Sequence, residues 1–321
     1  MPLDQPTTAF LDLLRSAGGK PLYELPLAEA RANMVGGSLQ LGAPAEPVES
    51  VVDRRIDVPG GTIGLRIHSP VGAAAGGLLP AVLQYHGGGF VLGNLDSHES
   101  IARFYCAHAG AVVVSVDYNL APEHRFPAQV EESYAALRWV ADHASELHVD
   151  PARVAVAGDS AGGNLATVMC LLSKARGGPR IAAQALLYPV VDFRSHDLYA
   201  SHQEFGDGNY FLSIKDMDWF RSLYFADATQ HADPSASPIT ATDLSGLPPA
   251  LVATAGCDPL RDEGRAYADR LAAAGVPVEY RCFDSTIHAC ASFAGAIPAG
   301  REMLAFVADW LRRTMHATRK L

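Results

Sequence analysis

Short apolar runs, each closed by turn-forming residues, recur along the chain at 81–85, 111–116, 154–157, 182–188, 250–255 and 278–283. Runs of that length without polar alternation predict strands covered on both faces. Between them, apolar positions fall at helical spacing over 128–145, 161–175, 261–274 and 301–315, which predicts helices with one buried face. Strand alternating with helix implies right-handed crossovers and a mostly parallel sheet with helices on both faces. Ahead of that series, residues 51–68 read as two strands around Pro59-Gly60-Gly61, an antiparallel hairpin at the edge of the sheet. The hairpin's two strands and the six runs predict an eight-stranded sheet in an α/β protein.

Two stretches break the alternation. Residues 1–49 are helical in character but interrupted by proline and glycine, and residues 193–225 are rich in aromatic side chains. Both are expected to form a small helical cap over the carboxyl ends of the strands. The predicted organisation is one domain: N-terminal cap helices at 1–49, core at 50–192, cap insertion at 193–225 and core again at 226–321. No internal repeat, low-complexity tract or interdomain linker interrupts it.

Composition narrows the partners. At 321 residues, 49% hydrophobic and 19% charged, the chain has the make-up of a compact globular protein that needs no metal or disulfide staple. A net charge of −10 works against binding nucleic acid or anionic lipid. No apolar run approaches the roughly 20 residues needed to span a bilayer. Residues 1–18 carry Asp4 and Asp12 and lack the basic-then-apolar layout of a secretory signal, so a cytoplasmic protein is expected. Cys106, Cys170, Cys257, Cys282 and Cys290 are an odd, scattered set without a C-x-x-C pair, which suggests neither a disulfide framework nor a zinc site. Cys290 follows His288 by two residues and reads as a buried small hydrophobe. No cofactor is called for, and a homodimer stays open.

The candidate chemistry begins at Gly158-Asp159-Ser160-Ala161-Gly162, set between an apolar strand and a helical stretch. In a turn that tight, side chains at Gly158 and Gly162 would strike neighbouring backbone, and Ser160 is lifted above the sheet as a nucleophile. The Ala161 N–H lies at a helix N-terminus, where unpaired donors and the helix dipole favour negative charge. His86-Gly87-Gly88-Gly89-Phe90 follows another strand, and the amides of Gly88 and Gly89 are the candidate partners of Ala161 in an oxyanion hole. No Lys-Ser/Thr follows these glycines, which argues against a phosphate cradle.

A nucleophilic serine needs a base, and this motif's chain order of Ser, acid, His leaves His196, His202, His231, His288 and His316. Only His288 follows a late strand, by a short loop. Asp258 comes directly off the preceding strand and is preferred as the orienting acid. The competitor, Asp262, falls in the first turn of the next helix, where the dipole alone favours an acid. Ser160, His288 and Asp258 form the constellation of acyl transfer.

These motifs, with Asp117-Tyr-Asn-Leu-Ala-Pro-Glu123, Phe126-Pro-Ala128 and Asp258-Pro-Leu-Arg-Asp262-Glu, resemble the bacterial hormone-sensitive-lipase family of esterases, in its Gly-Asp-Ser-Ala-Gly branch. The resemblance implies the α/β-hydrolase fold, a cap from the N-terminal helices plus an insertion after the sixth strand, and hydrolysis of short- to medium-chain acyl esters. It also makes His86 an anchor of the glycine loop and Glu123 a brace. The chain departs from the family's usual His-Gly-Phe with His288-Ala289-Cys290, which bears on the alcohol-side pocket. Tyr188, Tyr210, Phe211 and Trp219 are candidate pocket or core aromatics. Two other readings use the same fold: an amidase or peptidase with this triad, and a silent ligand receptor, whose mark would be a missing histidine. The expected partner is a small-molecule ester, with neither nucleic acid nor membrane.

Overall fold

The structure is a computed structural model and describes residues 2–73 and 77–316. Two helices, α1 (Gln5–Ser16) and α2 (Leu27–Leu41), precede the hairpin β1 (Ser50–Val58) and β2 (Gly61–Ser69). Strands and helices then alternate through β3 (Leu79–Tyr85), α3 (Glu99–Ala109), β4 (Val112–Asp117), α4 (Ala128–Asp142), β5 (Val149–Asp159), α5 (Ala161–Arg176) and β6 (Ala183–Leu187). Helices α6 (Ala200–Phe205) and α7 (Ile214–Tyr224) interrupt the series, which ends with β7 (Ala250–Cys257), α8 (Arg261–Ala273), β8 (Val278–Ile287) and α9 (Pro298–His316).

The strands form one eight-stranded sheet in the order β1-β2-β4-β3-β5-β6-β7-β8. β2 runs antiparallel to β1 and β4, and the remaining pairs are parallel. This is the α/β-hydrolase fold, and the hairpin is its antiparallel edge as expected. The pleat explains why the central runs are apolar throughout. Val82, Val113 and Ala155 face one core with α3 and α9, whereas their successors Leu83, Val114 and Val156 face the other with α4, α5 and α8. Burying each such valine or leucine contributes about 1.5–3 kcal/mol, so both faces reward the same sequence pattern.

Three details differ from the sequence-based expectation. Helix α3 lies between β3 and β4, with Ile101, Ala102, Tyr105, Cys106 and Ala109 buried at helical spacing. Strand β5 begins five residues before the apolar run, at Val149. β8 runs through to Ile287, so His288 leaves the strand end with no loop between. No helix among the described residues is long and apolar enough to cross a membrane.

The strand order reverses beside β3, which lies between β4 and β5. The loops leaving the carboxyl ends of β3 and β5 therefore part in opposite directions and open a crevice, the general ligand position in such sheets. Residues following β3, β5, β7 and β8 are His86, Ser160, Asp258 and His288.

A charge cluster fastens α3 to the sheet. Glu99, in the first turn of α3, meets His68 at 3.0 Å and Arg103 at 2.6 Å. Burial works to raise its carboxyl, but His68 and Arg103 outweigh that and bring it down to about 2. A carboxyl held below its unfolded value of about 4.3 stabilises the fold above that pH and stops doing so as pH falls towards the folded value. Glu99→Gln is therefore expected to lower stability at neutral pH, with the gap to the native chain closing between about pH 4 and pH 2. Denaturant melts at stepped pH read this out, and a gap unchanged at pH 2 would contradict it.

Candidate active site

Ser160 sits at the junction of β5 and α5 with φ 54° and ψ −118°, a conformation that ordinary side chains avoid. The junction holds because the backbone packs without side chains around it. A methyl group added to Gly162 would overlap the carbonyl of Tyr85, and one on Gly158 would overlap the carbonyl of Gly162. The strain is of the order of 1–3 kcal/mol, and its effect is to present the Ser160 hydroxyl to the crevice.

His288 spans the gap between the two candidate partners. Its Nε2 lies 2.9 Å from Ser160 Oγ and its Nδ1 lies 2.8 Å from Asp258 Oδ2. A carboxylate only accepts, so the proton belongs on Nδ1 and Nε2 is left to accept from the serine hydroxyl. Asp258 is completely buried, and its other oxygen accepts the Leu260 N–H at 2.9 Å. The Tyr188 ring meets the imidazole edge-on, 4.9 Å between centres, so the base is gripped on its flank as well. Asp262 is elsewhere: it accepts the Ser201 N–H at 2.9 Å and pairs with Arg261, pinning α6 to α8.

The glycine loop faces the same crevice. Gly88 and Gly89 line one cavity with Ser160 and His288, and Ala161 is the first residue of α5. Gly89, at φ 62°, has no room for a methyl group because the Phe220 ring of α7 lies against it. Phe90 stacks on Tyr224 of α7 at 3.9 Å, so the insertion after β6 presses the loop from above. Arg31 of α2 holds the loop's far end, donating to the carbonyls of Val91 and Ala121 at 2.9 Å each and pairing with Glu123 at 2.6 Å. His86 is the loop's inner anchor, stacked on Tyr118 at 4.2 Å with Nδ1 2.8 Å from the Gly87 carbonyl. Burial, with His98 close by, pushes its imidazole down to about 3, so it stays neutral.

Beneath the loop is a pair that the motifs do not name. The Asp159 carboxylate accepts the Gly87 N–H at 3.1 Å and lies 3.1 Å from His98 Nε2. Burial alone would raise this carboxyl; His98, with smaller pulls from His86 and His288, holds it below the usual range. Asp159 and His98 are 61 residues apart, and only the sheet brings them together.

The cavity above Ser160 measures about 980 Å³, at the upper end of small-molecule sites. Its walls come from α1 and α2, the glycine loop, residues 206–221 and the turn after His288. Of the candidate aromatics, Phe211 lines it, Tyr188 lies under His288, and Tyr210 and Trp219 are not among its lining residues. Cys290 is fully buried, with burial pushing its thiol up to about 12, so it is no rival nucleophile. Of the other histidines, His202 pairs with Glu263 at 2.9 Å, His196 with Asp218 at 2.9 Å, and His316 reaches the Ala109 carbonyl at 3.0 Å.

Ala289 has φ 61° and ψ 15°, the left-handed region that glycine occupies freely and alanine only at a cost of about 1–2 kcal/mol. Among the described residues, the non-glycine positions with positive φ are Phe90, His148, Ser160, Tyr188, Phe211 and Ala289. Phe90, Ser160, Phe211 and Ala289 line the cavity and Tyr188 touches the base, so backbone strain gathers at this site.

Comparison with known proteins agrees with the geometry. Residues 82–292 match the family described as alpha/beta hydrolase fold. The carboxylic ester hydrolase LipN of Mycobacterium tuberculosis is 49% identical over 244 residues, 74% of this chain and 63% of that protein's length. Esterase LipI of the same organism is 44% identical over 260 residues, covering 81% of this chain and 80% of LipI. Among solved structures, an ester hydrolase from the metagenome of Lake Arreo superposes with a TM-score of 0.92 at 41% identity, over 97% of this chain and 98% of that one.

The Asp159 support yields a test. Asp159→Ala removes the carboxylate from a buried N–H and from His98, and is expected to cost about 1–3 kcal/mol in denaturant melts. It should also lower kcat with little change in KM, because loop amides act on charge that develops only in the transition state. Asp159→Asn, which retains an acceptor for Gly87, should recover much of the loss. A raised KM with kcat intact would separate Asp159 from the loop's function.

Proposed function

From a chain that belongs to the alpha/beta hydrolase fold family, in its hormone-sensitive-lipase-like group, and is a carboxylic ester hydrolase, we infer the finer reaction: cleavage of short- to medium-chain acyl esters through an acyl-enzyme on Ser160. The observation that carries this reading is the single imidazole within hydrogen-bond reach of both a hydroxyl and a buried carboxylate.

In this reading His288 Nε2 takes the proton of Ser160 as Oγ attacks the ester carbonyl carbon. The carbonyl oxygen becomes an oxyanion facing the amides of Gly88, Gly89 and Ala161, each donor of this kind being worth about 3 kcal/mol in the transition state. Asp258 stabilises the imidazolium and keeps it oriented. His288 then hands its proton to the leaving alcohol oxygen, the C–O bond breaks, and the acyl group stays on Ser160. Water, deprotonated by the same nitrogen, attacks the acyl carbon; the bond to Ser160 Oγ breaks, His288 returns the proton to Oγ, and the acid leaves.

Residues 1–49 and 193–225 are the cap in this reading, supported by the part both take in the cavity wall. The largely apolar walls support an acyl chain of moderate length. Among the described residues no disulfide joins the five cysteines, which supports a cytoplasmic setting. The partner is a small ester, with no cofactor in any step.

Ser160→Ala and His288→Ala are each expected to reduce kcat/KM on p-nitrophenyl esters by at least about 10³-fold while leaving the fold intact by circular dichroism. Activity across an acetate-to-decanoate series should peak among the short to medium acyl groups. A p-nitroanilide matched to the best ester should turn over more slowly. A faster anilide would make the chain an amidase, and full activity in Ser160→Ala would remove the serine mechanism.

A further inference from the structure

We propose that the methyl group of Ala289 is a size filter for the alcohol part of the ester, admitting slim alcohols and turning away broad ones. The proposal rests on the esterase reading and assigns one wall of its site. The leaving oxygen must receive its proton from His288 Nε2, so the alcohol lies on the His288 side of the reacting carbon while the carbonyl oxygen faces Gly88 and Gly89. Ala289 is the next residue in the chain, half-buried, and part of the cavity wall with Ser292 and Phe293.

The backbone there does not call for alanine. At φ 61° glycine would be relaxed, and the turn's hydrogen bond, from the Ser292 N–H to the Ala289 carbonyl at 2.9 Å, needs no side chain. Strain kept at a pocket wall where a smaller residue would remove it points to a use for the added atom. That atom is a single methyl group beside the catalytic base.

The wall behind it cannot give way. Phe293 packs against Phe10 of α1 at 4.8 Å and against Phe211 at 5.4 Å. Phe211 is itself held at φ 78°. On the α2 side, the Gly295 N–H donates to the Leu41 carbonyl at 3.0 Å. Three separate segments thus fix the turn that carries Ala289, and a broad alcohol meets the methyl group without relief.

The test varies the alcohol at constant acyl group. Ethyl, phenyl and 1-naphthyl acetate all pass through the same acetyl-enzyme, so differences in kcat/KM among them arise before the alcohol departs. Ala289→Gly should raise the naphthyl-to-ethyl ratio of kcat/KM by about tenfold, the usual effect of one carbon in a pocket. It should also raise Tm, since the strain goes with the methyl group. Ala289→Asn, a larger side chain that tolerates the left-handed conformation, should lower the ratio. The acyl-chain profile measured with p-nitrophenyl esters should keep its optimum in both variants. An unchanged alcohol ratio in Ala289→Gly, or an acyl optimum that moves as much as the alcohol ratio, overturns the filter while the esterase reading stands. No ester turnover by the native chain would bring down both.

Discussion

Everything at the site depends on one ring reaching in two directions. His288 and Ser160 are 128 residues apart, and His288 and Asp258 are 30 apart, so chain proximity cannot hold them. What holds them is the parallel sheet, which brings the carboxyl ends of β5, β7 and β8 to one edge and delivers each side chain with no intervening loop. Because the strands are packed on both faces, a slip in register would turn each side chain into the opposite core and undo its packing. The hydrogen-bond distances that proton transfer requires are thereby inherited from core packing.

The fold was legible because parallel strands leave a strong mark: uninterrupted apolar runs between helical stretches. The candidate triad was legible for a related reason, since Ser160 and Asp258 stand at the ends of apolar runs, His288 a short way after another, and all three in the chain order that the motif requires. Helix α3 was less visible, being short and flanked by the glycine loop, although its buried residues recur at helical spacing. The supports of the glycine loop were hidden for a different cause. Asp159 occupies a position that the pentapeptide leaves open, and the contacts that tie His98 and Arg31 to the glycine-loop region are all made to residues distant in the chain. Contacts made only across the folded sheet leave no periodic trace in the chain.

The site also shows where the fold departs from local preference. Ser160, Tyr188, Phe211 and Ala289 are all held at positive φ; the Ser160 and Tyr188 N–H groups donate to the Leu187 and Ala253 carbonyls of neighbouring strands, and the Phe211 ring packs against Phe10 and Phe293. A well-packed core is what makes such positions sustainable, since the strain at each is small beside the burial energy of the sheet. Ser160 uses its strain to stand clear of the sheet, and Tyr188 ends up flanking the base.

The Arg31 clamp has a bearing on how the cavity exchanges its contents. One guanidinium links α2 to two backbone carbonyls of the core and to Glu123, which ties the N-terminal arm to the segment that follows the glycine loop. An arm fastened there is no free flap: swinging it outward would drag on the turn that carries Gly88 and Gly89. Any trimming or grafting of the first 49 residues that discards this arginine would cut the link between α2 and the segment leaving the glycine loop.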